Sequence, residues 1–81
     1  MTVTFRFFSV SRDLAGCSTF QLDIGQAKTV EDALAKLYEE KPDLQKLEMA
    51  SMFAVGLDYA TKAQPIKDGD EISIIPPVQG G

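Results

Sequence analysis

Potential chemistry in this sequence is concentrated at its carboxyl end, where Pro76 and Pro77 precede a Gly80-Gly81 pair. We expect Gly81 to present a free main-chain carboxylate. Because glycine has no side chain, a Gly-Gly end is slim and flexible enough to enter a narrow active site of another protein. The two prolines fix φ and lack an N–H group, so the last strand should end there. The alternative interpretation is a frayed terminus without a function.

The rest of the sequence offers little support for catalysis. It contains no histidine and one cysteine, Cys17. A nucleophilic thiol or a zinc site therefore has no obvious partner residues, and we expect Cys17 to be inert and no metal to bind. No phosphate-binding, metal-binding or catalytic-triad motif is present. The chain is thus a poor enzyme candidate by itself, and the scarcity of catalytic groups points to the terminus as the place where chemistry occurs.

Composition narrows the class of protein. The 81 residues are 44% hydrophobic and 25% charged, which is typical of one small globular domain. The net charge is −4 and the eight Lys and Arg residues form no cluster, which argues against nucleic acid as a partner. No apolar run approaches the roughly 20 residues of a membrane helix. With no leader-like start and a single cysteine, the sequence predicts a cytoplasmic protein.

The first half of the sequence predicts a β-hairpin followed by a helix. Residues 2–9 alternate as in a half-buried strand, except that the aromatic Phe8 falls on the polar face. Residues 11–16 read as a turn or one helical turn, and Phe20, Leu22 and Ile24 mark a second strand that pairs with the first.

Thr29 is a candidate helix N-cap. The helix should end near Lys41, before Pro42, and bury one stripe: Val30, Ala33, Leu34, Leu37 and Tyr38.

The second half predicts a short helical piece at 42–50, strands at 52–55 and 59–61, a turn at 65–70 and a last strand at 71–75. Alternation in that strand points Ile72 and Ile74 inward and Ile75 outward. The order of elements predicts an α+β fold of the β-grasp (ubiquitin-like) type, a mixed sheet covered by one main helix. We expect a single domain over residues 1–78 and a flexible tail over residues 79–81.

Two stretches resemble the MoaD family of ubiquitin-like sulfur carriers, the small subunits of molybdopterin synthase. Residues 7–16, FFSVSRDLAG, resemble the family's FFA-x-x-RE-x-x-G stretch, with Asp13 in place of Glu. Residues 68–72 and 75–81, DGDEI and IPPVQGG, resemble its DGDEVA-x-x-PPV-x-GG ending. Gly56 departs from the family's usual Asn, but glycine meets the same demand for a positive φ in a turn.

The resemblance implies a cycle at Gly81. A MoeB-like adenylyltransferase, related to ubiquitin activators, uses ATP to adenylate the terminal carboxylate, and sulfur then replaces AMP to give a thiocarboxylate. The MoaE-like large subunit accepts the tail, and the sulfur passes to cyclic pyranopterin monophosphate to build the molybdopterin dithiolene. The family's assembly is a heterotetramer of two small and two large subunits. No cofactor bound to the small subunit itself is implied.

The same resemblance indicates which residues meet the partner. Phe8, Tyr59 and Ile75 match positions of the partner-facing sheet surface, and Arg12 could add a charged contact at its rim. The resemblance also implies that the partner binds the end of the chain, through Pro76, Pro77, Val78 and Gln79, which precede Gly80 and Gly81. The alternative for Tyr59 and Ile75 is that they are ordinary apolar surface residues.

Three other functions remain open from the sequence. The chain could carry sulfur for thiamine synthesis or transfer-RNA thiolation, although the Pro-Pro-Val ending argues against those relatives. It could be a ubiquitin-like modifier, joined through Gly81 to lysines of target proteins. It could also be a plain β-grasp binding module with an idle tail.

Overall fold

A computed structural model of the chain describes residues 1–77. The predictions for Val78, Gln79, Gly80 and Gly81, including the flexible tail, lie outside the described residues. The elements follow in this order: β1 (Thr2–Phe7), α1 (Val10–Ala15), β2 (Thr19–Asp23), α2 (Val30–Glu40), a 3₁₀ helix (Pro42–Ala50), β3 (Met52–Val55), β4 (Asp58–Ala60) and β5 (Glu71–Ile75).

Within residues 1–77 the strands form one five-stranded mixed sheet in the order β2-β1-β5-β3-β4. β1 and β2 form the predicted antiparallel hairpin, and β5 lies beside β1 in parallel, with Phe7 opposite Ile74. β3 runs antiparallel to both β5 and β4. The α+β, β-grasp prediction is therefore confirmed.

One face of the sheet, the inner face, is covered by α2 and the 3₁₀ helix. The predicted stripe of α2 is buried at Val30, Ala33, Leu34 and Leu37, while Tyr38 is half-buried. These side chains form a single core with the inward residues of three strands: Val3, Phe5, Phe7, Phe53, Ile72 and Ile74. Burial of this apolar surface is the main term that stabilises the domain.

The predicted start of α2 is confirmed in atomic detail. The Thr29 hydroxyl accepts the Asp32 N–H at 3.3 Å, and the Asp32 carboxylate accepts the Lys28 and Thr29 N–H groups at 3.0 and 3.3 Å. This capping box satisfies amides that a helix start leaves unpaired. The helix ends at Glu40, one residue before Lys41, as the following proline predicts.

The segment after β1 is more ordered than the sequence indicated. Residues 10–15 form a complete short helix, α1, which ends at Gly16 with φ of 79°. The Lys41 ammonium donates to the Ala15 carbonyl at 2.8 Å and lies 4.7 Å from the centroid of the Phe20 ring. This cation faces the negative end of α1, where a positive charge is stabilising.

The turn between β3 and β4 holds Gly56 at φ of 62°, so the expected positive φ is confirmed. In the part of the chain that the structure describes, no helix has the length and apolarity needed to cross a membrane.

Candidate functional site

The strand registers bring three of the predicted partner-facing residues to one face. Ile75 lies opposite Met52, and Tyr59 lies opposite Ala54, on the side of the sheet away from α2. Phe8 follows Phe7, whose neighbour is Ile74, so Phe8 comes next to Ile75 at the end of β5. We call this side the outer face. The sequence therefore identified three residues that share it, although they are up to 67 positions apart, from Phe8 to Ile75.

These side chains are accessible to different degrees. Phe8 is 39% exposed and Tyr59 is 71% exposed, while Ile75 is half-buried. Met52, which the sequence analysis placed only in a short apolar strand, is 54% exposed on the same face. Its position could have been found from alternation, because Phe53 points inward. We refer to Phe8, Met52, Tyr59 and Ile75 together as the outer patch.

The centre of the outer face is lined by small residues. Ser73 of β5 and Ala54 of β3 are neighbours in register, and each is only 7% exposed. Their register neighbours are larger, since Ser73 lies beside Arg6 and Ala54 beside Tyr59. Small side chains at the centre thus lie among the larger residues of the outer face, an arrangement that a complementary surface can contact.

Arg6 places a positive charge on the outer face, which the sequence analysis did not single out. It pairs in register with Ser73, and its guanidinium lies 5.7 Å from the centroid of the Phe8 ring. Its Nη1 is also 3.4 Å from Oε1 of Glu71. Arg12 is exposed on α1, beside Asp13, Gly16 and Cys17 along a shallow depression. A rim contact of Arg12 remains a prediction.

The two prolines differ in burial. Pro76 is buried within the domain and Pro77 is exposed. The Pro76 ring therefore packs against its own chain, and Pro77 is the accessible one. The strand ends at Ile75, as the prolines predict.

Potential metal ligands do not cluster in the part of the chain that the structure describes. Residues 1–77 contain no group of three or more His, Cys, Asp and Glu side chains that could hold a metal ion. The Cys17 sulfur is partly buried, 3.8 Å from the Ala15 carbonyl oxygen. Burial and the nearby Glu48 carboxylate raise the pKa of Tyr38, which keeps its hydroxyl neutral. The described residues thus present an exposed apolar surface, and the predicted chemistry of Gly81 lies outside them.

Comparison with known proteins identifies relatives of this domain. Residues 5–81 match the ThiS family. The molybdopterin synthase sulfur carrier subunit of Chlamydomonas reinhardtii is 32% identical over 83 residues, covering 100% of both chains. The structure of SAMP1, small archaeal modifier protein 1, from Haloferax volcanii has a TM-score of 0.90 and 25% identity, again covering 100% of both chains.

A further structural relative occurs in a complex. A chain from the complex of subunits 1 and 2 of the molybdopterin-converting factor of Helicobacter pylori matches with a TM-score of 0.69 and 29% identity, covering 100% of both chains. Together, the fold and the outer face define a ubiquitin-like β-grasp protein with an exposed apolar patch. The chain belongs to the ThiS family and, within it, to the MoaD-type small subunits.

Proposed function

We propose that this chain is the sulfur-carrier small subunit of a molybdopterin synthase. The observation that carries the proposal is the outer patch, which exposes Phe8, Met52 and Tyr59 beside the strand that leads to the Gly-Gly end. An accessible apolar surface of this kind is typical of a partner interface. Three relatives named molybdopterin synthase sulfur carrier subunit support the choice of partner.

The proposed chemistry takes place at Gly81. Its carboxylate attacks the α-phosphorus of ATP, pyrophosphate leaves, and an acyl-adenylate forms. A sulfur donor at the level of hydrosulfide then displaces AMP and leaves a thiocarboxylate. The thiocarboxylate sulfur bonds to a carbon of cyclic pyranopterin monophosphate and displaces the oxygen substituent of that carbon, which gives a thioester. Water then cleaves the bond between the Gly81 acyl carbon and the sulfur. The acceptor keeps the sulfur and Gly81 returns to a carboxylate. Activation is needed because a carboxylate is a poor electrophile.

Two partners follow from this cycle. The MoaE-like large subunit would cover the outer patch and supply the acid–base groups, and the complex of the two Helicobacter pylori subunits supports such a pairing. A MoeB-like adenylyltransferase would bind the same tail earlier in the cycle. Adenylation uses ATP and thiocarboxylate formation uses a reduced sulfur compound, both of which the cytoplasm supplies. An unpaired cysteine such as Cys17 is also normal there.

A second candidate function is protein modification through Gly81. The likeness to the small archaeal modifier protein favours it, because that structure matches this one over the full length. Both functions begin with an acyl-adenylate. They differ in the next acceptor, which is sulfur for the carrier and a lysine amine for the modifier.

Intact mass spectrometry of the protein purified from cells, with and without a co-expressed adenylyltransferase, tests the proposal. We expect a mass increase equal to the exchange of one oxygen for sulfur, located at Gly81. Incubation with large subunit and cyclic pyranopterin monophosphate should then return the original mass and yield molybdopterin. The matched control lacks Gly81 and should gain no sulfur.

Other outcomes separate the alternatives. Sulfur gain without transfer to the pyranopterin would indicate a carrier for thiamine or transfer RNA. Ladders of conjugates on cellular proteins, with no sulfur gain, would favour the modifier. No change under any condition would leave only a binding module.

A further inference from the structure

The ladder between β1 and β5 stops where β5 ends, beside Phe8 and Ile75 of the outer patch. In a parallel ladder, an amide donates to the residue that precedes its partner. Thr4, the partner of Glu71, accordingly donates to the Asp70 carbonyl at 3.0 Å. Continued to position 8, this pattern would direct the Phe8 N–H to the Ile74 carbonyl and bring the amide of position 76 to the Phe8 carbonyl.

Both of these bonds are replaced. Position 76 is a proline and has no N–H to give. The Phe8 N–H instead donates to Ser11 Oγ at 2.9 Å, and Ser11 Oγ donates to the Phe8 carbonyl at 2.7 Å. The same hydroxyl lies 3.3 Å from the Ile74 carbonyl oxygen. The Ser11 side chain thus contacts the Phe8 N–H, the Phe8 carbonyl and the Ile74 carbonyl, the groups that a continued ladder would have paired.

The surroundings of Ser11 show that this arrangement is built into the fold. The residue is 0% exposed although it is polar. It reaches its position because Ser9 turns the chain with φ of 56° and ψ of −128°. Ser9 is the one non-glycine residue with a positive φ among the described residues. Strain of this kind persists only where the surrounding structure enforces it, and it is found most often at functional sites.

We propose that Ser11 is a positioning residue for sulfur delivery. Its hydroxyl holds the Phe8 backbone against the end of β5. The distance and orientation between the outer patch and the end of β5, which leads to the tail, are thereby fixed. The inference rests on the proposed function. An apolar residue at position 11 would leave the Phe8 N–H without this partner, and Phe8 and the end of β5 could then move independently.

The test is a single-turnover assay with thiocarboxylated protein and enough large subunit to bind all of it. Saturation removes any effect on affinity, so the transfer rate reports tail placement. We expect Ser11→Ala to transfer sulfur about tenfold more slowly, because small displacements of a reacting group have effects of this size or larger. Thr29→Ala is the matched control. It also removes one hydroxyl-to-backbone bond, at the start of α2, and should keep the wild-type rate.

A second measurement is independent of the reaction. Amide hydrogen exchange at Phe8 should be faster in Ser11→Ala than in the wild type, and unchanged in Thr29→Ala. If Ser11→Ala does not fold, Ser11→Cys replaces it, since a thiol fills similar space with weaker hydrogen bonds. That variant should show the same two changes to a smaller degree.

The outcomes separate this inference from the proposed function. If the wild-type protein transfers no sulfur, the proposed function fails. If the wild type transfers and the Ser11 variants match its saturated rate, the positioning role is overturned. A rate that falls equally in Thr29→Ala would also overturn it, because general destabilisation would then explain the loss.

Discussion

The inner and outer faces of the sheet both carry large apolar side chains, but within residues 1–77 the main helix packs on the inner face. Inward residues such as Phe5 and Ile72 are fully buried, whereas Phe8 and Tyr59 on the outer side remain accessible. The same strands thus contribute to both the core and the exposed patch, because successive side chains point to opposite faces of the sheet. The inner face should determine stability, and the outer face with the tail should determine binding and transfer.

Removing the last two residues should have the largest effect on sulfur transfer, and it tests whether the tail acts independently of both faces. Deleting Gly80 and Gly81 should reduce sulfur transfer below detection and leave the free energy of unfolding unchanged, because the described sheet and core are built from residues before Pro76. Urea denaturation and the transfer assay measure the two properties on one sample. Transfer by the shortened protein would contradict the proposed chemistry.

A substitution on the inner face should have the opposite effect. Leu34 is 1% exposed in α2. Leu34→Ala should lower the free energy of unfolding by about 2–5 kcal/mol through lost burial and a cavity. Affinity for the large subunit, corrected for the folded fraction, should stay at the wild-type value in calorimetry. A loss of intrinsic affinity would mean that the faces are not independent.

Substitutions in the outer patch should weaken binding with little effect on folding. Phe8→Ala and Ile75→Ala should each reduce affinity for the large subunit by more than about 1 kcal/mol, as is typical for buried interface anchors. Leu57→Ala is the control, since Leu57 is fully exposed at the β3–β4 turn, away from the Met52–Ile75 end of β3. Equal affinities for all three variants would exclude the outer patch as the interface.

The smallest expected effect concerns how the stability of the protein depends on pH through Asp32 at the start of α2, the helix on the inner face. Hydrogen bonds from the Lys28 amide and from Thr29 lower the pKa of Asp32. A carboxyl whose pKa is lower in the folded state stabilises that state above its ordinary range and loses this effect as pH falls through the folded value. Asp32→Asn should therefore flatten the acid side of the stability profile and leave partner affinity unchanged. A profile identical to the wild type would show that the capping carboxylate contributes nothing.

Elements with strong local signals could be predicted from sequence. β5 begins after a Gly-Asp turn and ends before two prolines, so both of its ends were identified correctly. The bounds of α2 followed from Thr29 and Pro42 for the same reason. α1 was only partly anticipated, since six residues are too few to show helical periodicity.

The outer face was predicted only in part. Its residues are distant in sequence, and their pairing cannot be read from local patterns. The resemblance and the alternation of β5 pointed to Phe8, Tyr59 and Ile75. Alternation in β3 would also point Met52 outward, but its place opposite Ile75 is a property of strand pairing. The role of Arg6 beside Phe8 also depends on that register. Ser11 looked like a turn residue, and its contact with Ile74 spans 63 positions, which no local pattern reveals.

The central position of β5 has a consequence for biosynthesis. The sheet is joined by contacts such as that between the Thr2 amide and Asp68, which are 66 positions apart. Until β5 has been synthesised, the β1–β2 and β3–β4 hairpins lack the strand that unites them. Non-local pairing of this kind slows folding and leaves apolar strand edges open to other chains in the meantime. The nascent protein should therefore complete its sheet late, in the same step that brings the segment preceding the tail into place.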